Sequence, residues 1–269
     1  MGSNLNYVTF KNDEDDFHYC VKRGLLVVFN IVNFNDSVTP RYAAHNDVNE
    51  FVTYFKEKSF SIEKHLDLTK EELISVCKMV VSRKEIEGYD CIMVLISSHG
   101  NQKGIVCKDN KTILLNDIIE KFSGQKSRIQ TQTPKIFFIQ ACRGEEDDKG
   151  IHILQKSSLN DCTLMPDSAT KPFSFYKNIF VAYSTTENKK AYSYPYHPVK
   201  SKNSEKLYGS WFILCLLSIF KEYSEKDDLL TMLTRVNKAM CFYGDDEEKK
   251  QISSQVNRLT YKIYFKKNL

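Results

Sequence analysis

The stretch Lys135-Ile136-Phe137-Phe138-Ile139-Gln140-Ala141-Cys142-Arg143-Gly144 decides the fold. Its run from Ile136 to Ile139 is apolar at every position, so it reads as a strand buried on both faces, as in a parallel sheet. A second such run, Cys91-Ile92-Met93-Val94-Leu95-Ile96, ends some forty residues earlier in Ser98-His99-Gly100. Each run is followed by a short polar motif at its carboxyl end, where open α/β sheets carry their active sites. Cys142 and His99 are therefore the candidate nucleophile and its acid/base partner. A thiol needs a base to present thiolate, and an imidazole serves both for that and for protonating a leaving amine.

Outward from these runs, Gly24 to Val32 reads as a first buried strand, followed by Thr39-Pro40-Arg41 and a helix capped by Asn46 or Asp47. That helix places Val48, Phe51, Val52 and Phe55 on one face, and Phe60-Ser61-Ile62 starts another strand. Thr69 with Glu72 forms a capping box for a second helix through Leu73, Val76 and Val80, ending near Gly88. A small helix spans 116–122. After a connector over 145–176, Asn178 to Ser184 is a strand, 210–223 and 227–240 are helices, and Arg258 to Phe265 is the final strand. Alternating strands and helices give an α/β fold in three layers, a mostly parallel sheet of about six strands covered by helices on both faces. The second half has too few strands for its own sheet, so one domain is expected over 19–269, with segments 19–150 and 176–269 flanking a linker at 151–175.

The chain has 269 residues, 42% of them hydrophobic, enough for such a core. Its net charge of +4 comes from interleaved acids and bases, which gives no support to nucleic-acid binding. Eight cysteines without regular spacing, and no secretory leader, point to a reducing, cytoplasmic setting. The longest apolar run, Trp211 to Phe220, is too short to span a bilayer. No metal or cofactor motif is present.

At this point the residues resemble a known family, the caspases, cysteine proteases that cleave after aspartate. Gln140-Ala141-Cys142-Arg143-Gly144 with an upstream histidine is their signature. Arg23-Gly24, Arg41 six residues before Asp47, Ser98-His99-Gly100, Gly209-Ser210-Trp211-Phe212, Leu233-Thr234-Arg235-Val236-Asn237 and Gln251-Ile252 through Tyr264-Phe265 stand in the family's order. The resemblance implies Cys142 as nucleophile and His99 as acid/base, with backbone N–H groups of Gly100 and Cys142 binding the oxyanion and the Thr39 carbonyl orienting His99. It also implies Arg41 and Gln140 as the pocket for the P1 aspartate, and makes a neutral P1 residue unfavourable because the arginine would be left unpaired.

The pattern is broken in one place. Where the family has Tyr-Ser-Trp-Arg, this chain has Tyr192-Ser193-Tyr194-Pro195. Ser193, Tyr194 and Pro195 are the substrate-binding positions implied, and proline removes both a guanidinium and an N–H used in pairing with an extended peptide. A longer loop follows over 196–208, carrying Lys200, Lys202 and Lys206. By resemblance the chain is an executioner-like zymogen with a short prodomain at 1–18, cut after Asp147, Asp148, Asp161 or Asp167, of which Asp167 is preferred. It would act on proteins with a P1 aspartate in apoptosis, answer to an upstream caspase, and pair through its last strand in a twofold dimer. The alternative is an impaired homologue that regulates an active caspase by heterodimerising.

Overall fold

Gly24–Asn30 is buried at all seven positions, and so is Cys91–Ser97, because each lies inside a sheet packed on both sides. The structure, a computed structural model, describes residues 17–35, 38–124, 126–148, 176–194, 209–242 and 249–266. Its strands are β1 (His18–Cys20), β2 (Gly24–Asn30), β3 (Phe60–Leu66), β4 (Cys91–Ser97), β5 (Gly100–Asn101), β6 (Gly104–Val106), β7 (Thr112–Ile113), β8 (Lys135–Gln140), β9 (Ile179–Tyr183), β10 (Ser193–Tyr194), β11 (Gly209–Ser210), β12 (Ser254–Asn257) and β13 (Lys262–Tyr264). The helices are α1 (Ala44–Glu57), α2 (Lys70–Ser82), α3 (Leu115–Ser123), α4 (Trp211–Tyr223) and α5 (Leu229–Met240).

Six strands form the central sheet in the order β12-β9-β8-β4-β2-β3, all parallel except the antiparallel edge strand β12. Alternate residues feed two cores. Leu26, Val28, Met93, Leu95, Ile136 and Phe138 pack with α1, α4 and α5, while Leu25, Val27, Ile92, Val94, Phe137 and Ile139 pack with α2 and α3. The three-layer α/β fold expected from the sequence is present. Strand β9, from beyond the connector, pairs with β8 in the same sheet, so both halves share one sheet as expected. Lys135 enters the buried run because its ammonium donates to the Thr133 and Gln130 carbonyls at 2.6 and 3.3 Å.

Three local expectations are corrected. The Thr69–Glu72 capping box is present, but α2 stops at Ser82 and a 3-10 turn covers Lys84–Gly88. Helix α1 begins at Ala44 without a side-chain cap, and Asp47 does not cap it, because its carboxylate is taken by Ser210. The final run, Arg258 to Phe265, is not the sixth strand of the sheet. That strand is Ser254–Asn257, and the chain then turns at Thr260, whose N–H and hydroxyl both bond the Asn178 side chain, so that β13 pairs in parallel with β1.

Candidate active site

The register of the sheet sets the site. Asn30 lies beside Ser97, and Ser97 beside Gln140, so the carboxyl ends of β2, β4 and β8 present a row of polar side chains on one face. Directly beyond them, a cavity of about 370 Å³ is lined by Thr39, Arg41, His99, Gln140, Cys142 and Ser193, among others. Of the sequence-predicted positions, the structure thus brings Cys142, His99, Arg41, Gln140 and Ser193 to one cavity. Tyr194 follows Ser193 in β10, which pairs with β11. Pro195, Asp161 and Asp167 lie outside the described residues.

His99 is fixed from both sides. Its carbonyl accepts the Val106 N–H at 3.0 Å, and its ring lies 4.8 Å from that of Phe34, centroid to centroid. Its Nε2 is 3.0 Å from the Thr39 carbonyl oxygen, which can only accept. Nε2 therefore carries the proton of the neutral ring, and Nδ1 keeps the lone pair that can take a thiol proton. Burial holds this imidazole below its ordinary pKa, opposed by the Thr39 bond and helped by Arg41. Phe34, an aromatic in a loop with no periodicity to mark it, is a site residue that sequence reasoning missed.

Gly100 is required by crowding. A Cβ there would stand 2.2 Å from the Cys142 carbonyl oxygen and 3.0 Å from the Ala141 Cβ. Because His99 and Val106 form a hydrogen-bonded pair, the next pair, Gly100 with Ile105, is a non-bonded one, and the Gly100 N–H points out of that ladder. The Cys142 N–H likewise donates to no acceptor among the described residues.

The Cys142 sulfur meets backbone from beyond the connector. Ala191 N–H donates to it at 3.4 Å, and it lies 3.8 Å from the Ala191 carbonyl oxygen. No hydrogen bond joins it to the His99 ring. Residues 187–192 form a strap over the chain that follows Cys142: Arg143 N–H donates to the Lys189 carbonyl at 3.0 Å and Lys190 N–H to the Glu146 carbonyl at 2.9 Å. Tyr192 hydroxyl donates to Asp147 at 2.7 Å, and Lys190 pairs with the same carboxylate at 3.1 Å. Asp148 accepts the Lys250 N–H at 2.8 Å through its carbonyl. Asp147 and Asp148 are thus held in bonded chain.

Arg41 donates through Nη1 to the Ile31 carbonyl and to the Ser97 hydroxyl, each at 3.2 Å. Burial lowers its pKa to about 10, opposed by Asp47 and Cys142, so it remains a cation at neutral pH. Gln140 is buried, and its Oε1 has no partner. Asp47, read from the sequence as a candidate helix cap and as the residue six after Arg41 in the family's order, lines the same cavity. Its partner Ser210 is 163 residues away, so the bond that fixes it could not be read from the local pattern.

A family model for the caspase domain matches residues 23–264. The chain belongs to the caspase family. Among similar curated proteins, caspase-3 of Oryctolagus cuniculus is 32% identical over 251 residues, 90% of this chain and 83% of the relative. Caspase-7 of Gallus gallus is 27% identical over 254 residues, 91% of this chain and 77% of the relative. Among solved structures, caspase-1 from Spodoptera frugiperda superposes with a TM-score of 0.75 at 22% identity, covering 91% of this chain and 92% of that one, and shows the same fold. The caspase fold is thus the fold of this chain, and its family is one of cysteine endopeptidases.

Proposed function

We propose that this caspase is an active endopeptidase that cleaves proteins after aspartate, with Cys142 as nucleophile and His99 as general acid/base. The observation that carries this reading is one cavity lined by Cys142, by His99 with Nδ1 free, and by the paired P1 groups Arg41 and Gln140. In the reaction His99 Nδ1 takes the thiol proton, and the thiolate adds to the P1 carbonyl carbon. The oxyanion settles on the Gly100 and Cys142 N–H groups, and His99 returns the proton to the leaving amine as the C–N bond breaks. Water then hydrolyses the thioester. Protein cut in the linker should release fluorophore from aspartyl peptides, with an acidic limb below the ordinary imidazole range, since His99 is held low.

Activation by cleavage belongs to the same proposal, at Asp161 or Asp167 rather than at Asp147 or Asp148. The latter pair is tied to Tyr192, Lys190 and Lys250, and a protease needs unpaired extended chain. Dimerisation, cytoplasmic location and action in programmed cell death complete it. The outer edge of β12 has no strand beside it among the described residues and is where a twofold mate would pair. That Cys20, Cys77, Cys91, Cys107, Cys142 and Cys241 are free thiols supports the cytoplasmic reading.

A second reading, a non-catalytic partner that regulates an active caspase by heterodimerising, is favoured by the Ala191 backbone bonded to the Cys142 sulfur and by proline at position 195 where the family has arginine. Absence of turnover after linker cleavage, with altered activity of a co-expressed caspase, would select it.

A further inference from the structure

The chain that leaves β2 rests on a carboxylate that does not line the cavity. Asp67, just past the end of β3, accepts three hydrogen bonds from two consecutive residues. The Val32 and Asn33 N–H groups donate to Oδ1 at 2.7 and 2.9 Å, and the Asn33 side-chain amide donates to Oδ2 at 2.8 Å. Its own N–H donates to the Asn30 carbonyl at 2.9 Å. Burial by itself would raise the Asp67 pKa, but the Asn33 and Val32 bonds and the Lys108 charge hold it below the ordinary carboxylate range. Asp67 is thus an anion at neutral pH. It also has φ of +51°, a left-handed conformation that glycine adopts freely and most side chains resist. The turn has no need of aspartate, whereas the three donors do.

The residues on either side of those donors serve the active site. The Ile31 carbonyl accepts from Arg41 Nη1 at 3.2 Å and the Val32 carbonyl accepts the Arg41 N–H at 3.0 Å, so both the side chain and the backbone of Arg41 are moored to this segment. Phe34, the residue after Asn33, sets its ring 4.8 Å from that of His99. Beyond it, Asn35 N–H donates to the Lys108 carbonyl at 2.8 Å and the Asn35 carbonyl accepts from the Asn110 side chain at 2.8 Å. Those bonds hold the far end of the segment. The bonds to Asp67 fix its middle, between the anchor of Arg41 and the neighbour of His99.

We propose that Asp67 is a positioning residue whose carboxylate fixes the segment 31–34 and so sets the Arg41 guanidinium for P1 binding and the His99 ring for proton transfer together. It touches neither the substrate nor the reacting atoms. The inference rests on the peptidase reading of the same site.

The two arms separate in kinetics. Displacing Phe34 frees the His99 ring and lowers kcat, while displacing Ile31 and Val32 shifts Arg41 and raises KM. A purely structural residue would change how much protein folds and leave both constants of the folded protein alone.

The test compares Asp67→Gly, Asp67→Asn and Phe34→Ala in linker-cut protein, at one neutral pH, on an aspartyl fluorogenic peptide. Glycine keeps the backbone conformation and removes the carboxylate, so the loss belongs to the side chain. Asparagine keeps an acceptor for the Val32 and Asn33 N–H groups. In Asp67→Gly kcat should fall and KM rise, each about tenfold or more. Asp67→Asn should show a smaller change in both, and Phe34→Ala the fall in kcat without the rise in KM.

Two readouts need no turnover and are taken on Cys142→Ala protein: anisotropy of the labelled aspartyl peptide, and NMR of labelled histidine rings, where the His99 signal feels the Phe34 ring. Asp67→Gly should weaken peptide binding about tenfold and move the His99 signal towards its position in Phe34→Ala. Both changes in a chain whose wild type turns nothing over would uphold the positioning role and sink the peptidase reading. If Asp67→Gly does not fold, Asp67→Asn decides by the same constants and signals. Wild-type kinetics, binding and His99 signal in the folded variants, one arm moving without the other, or an asparagine variant no better than glycine would overturn the inference.

Discussion

The Cys142 sulfur accepts the Ala191 backbone N–H at 3.4 Å, so the hydrogen-bonding partner of the nucleophile is the strap at 187–192 and not the His99 ring. The strap is held down by the Tyr192 hydroxyl on Asp147 at 2.7 Å. Tyr192→Phe removes this hydrogen bond to a carboxylate and loosens the strap. Alkylation of Cys142 by iodoacetamide should become several-fold faster, while buried Cys77 and Cys91 stay protected. Mass spectrometry of the Cys142 peptide reads both, and an unchanged rate would mean the strap does not shield the thiol.

Gly100→Ala places a methyl group 2.2 Å from the Cys142 carbonyl oxygen, where the obstacle is backbone and cannot rotate aside. The two loops must part. A drop in kcat of about 10²-fold or more is expected, the scale of losing an oxyanion donor. The fall should appear in kcat more than in KM, because Arg41 and Gln140 are untouched, and kinetics on an aspartyl peptide would show it.

Asp47 makes stability depend on pH with an unusual sign. Its pKa rises from 3.8 to about 6 in the folded chain, so the fold binds this proton more tightly than the unfolded chain does. Its contribution is full below about pH 3.8 and is lost as pH rises through 6, by about 3 kcal/mol at 1.36 kcal/mol per unit. His99, held low by burial, works the other way, adding stability as pH rises through its unfolded value. Asp47→Asn removes the first slope and keeps the second. Urea unfolding between about pH 4 and 7 should therefore show stability of the variant gaining on the wild type as pH rises, and parallel curves would refute the assignment.

Pro195→Arg supplies the guanidinium and the N–H that the family carries in its substrate strand. If those two bonds are worth about 2.5 to 4 kcal/mol together, kcat/KM on aspartyl peptides rises by about 10²- to 10³-fold. No gain would show that the loop at 196–208 already fills that position.

Much of this was legible in the chain. The runs around Val94 and Phe137 are apolar at every position because both faces of their strands are buried, and the motifs at their ends follow from parallel topology. Thr69 with Glu72 is readable because a capping box is local. What could not be read depends on distant partners. Asp47 looks like a cap until β11 arrives beside it, and Ala191 has no chemistry of its own beyond its backbone. Ser254–Asn257 is half-exposed and polar, so the edge strand escaped notice while the aromatic run ending at Phe265, which leaves the sheet, took its place.

The central claim, that Cys142 is a working nucleophile served by His99, is tested most directly by one comparison: kcat/KM on an aspartyl fluorogenic peptide for linker-cut protein and for its Cys142→Ala variant. The account predicts measurable turnover in the first and a loss of about 10³-fold or more in the second. Equal rates, or a folded wild type with no turnover, would contradict it.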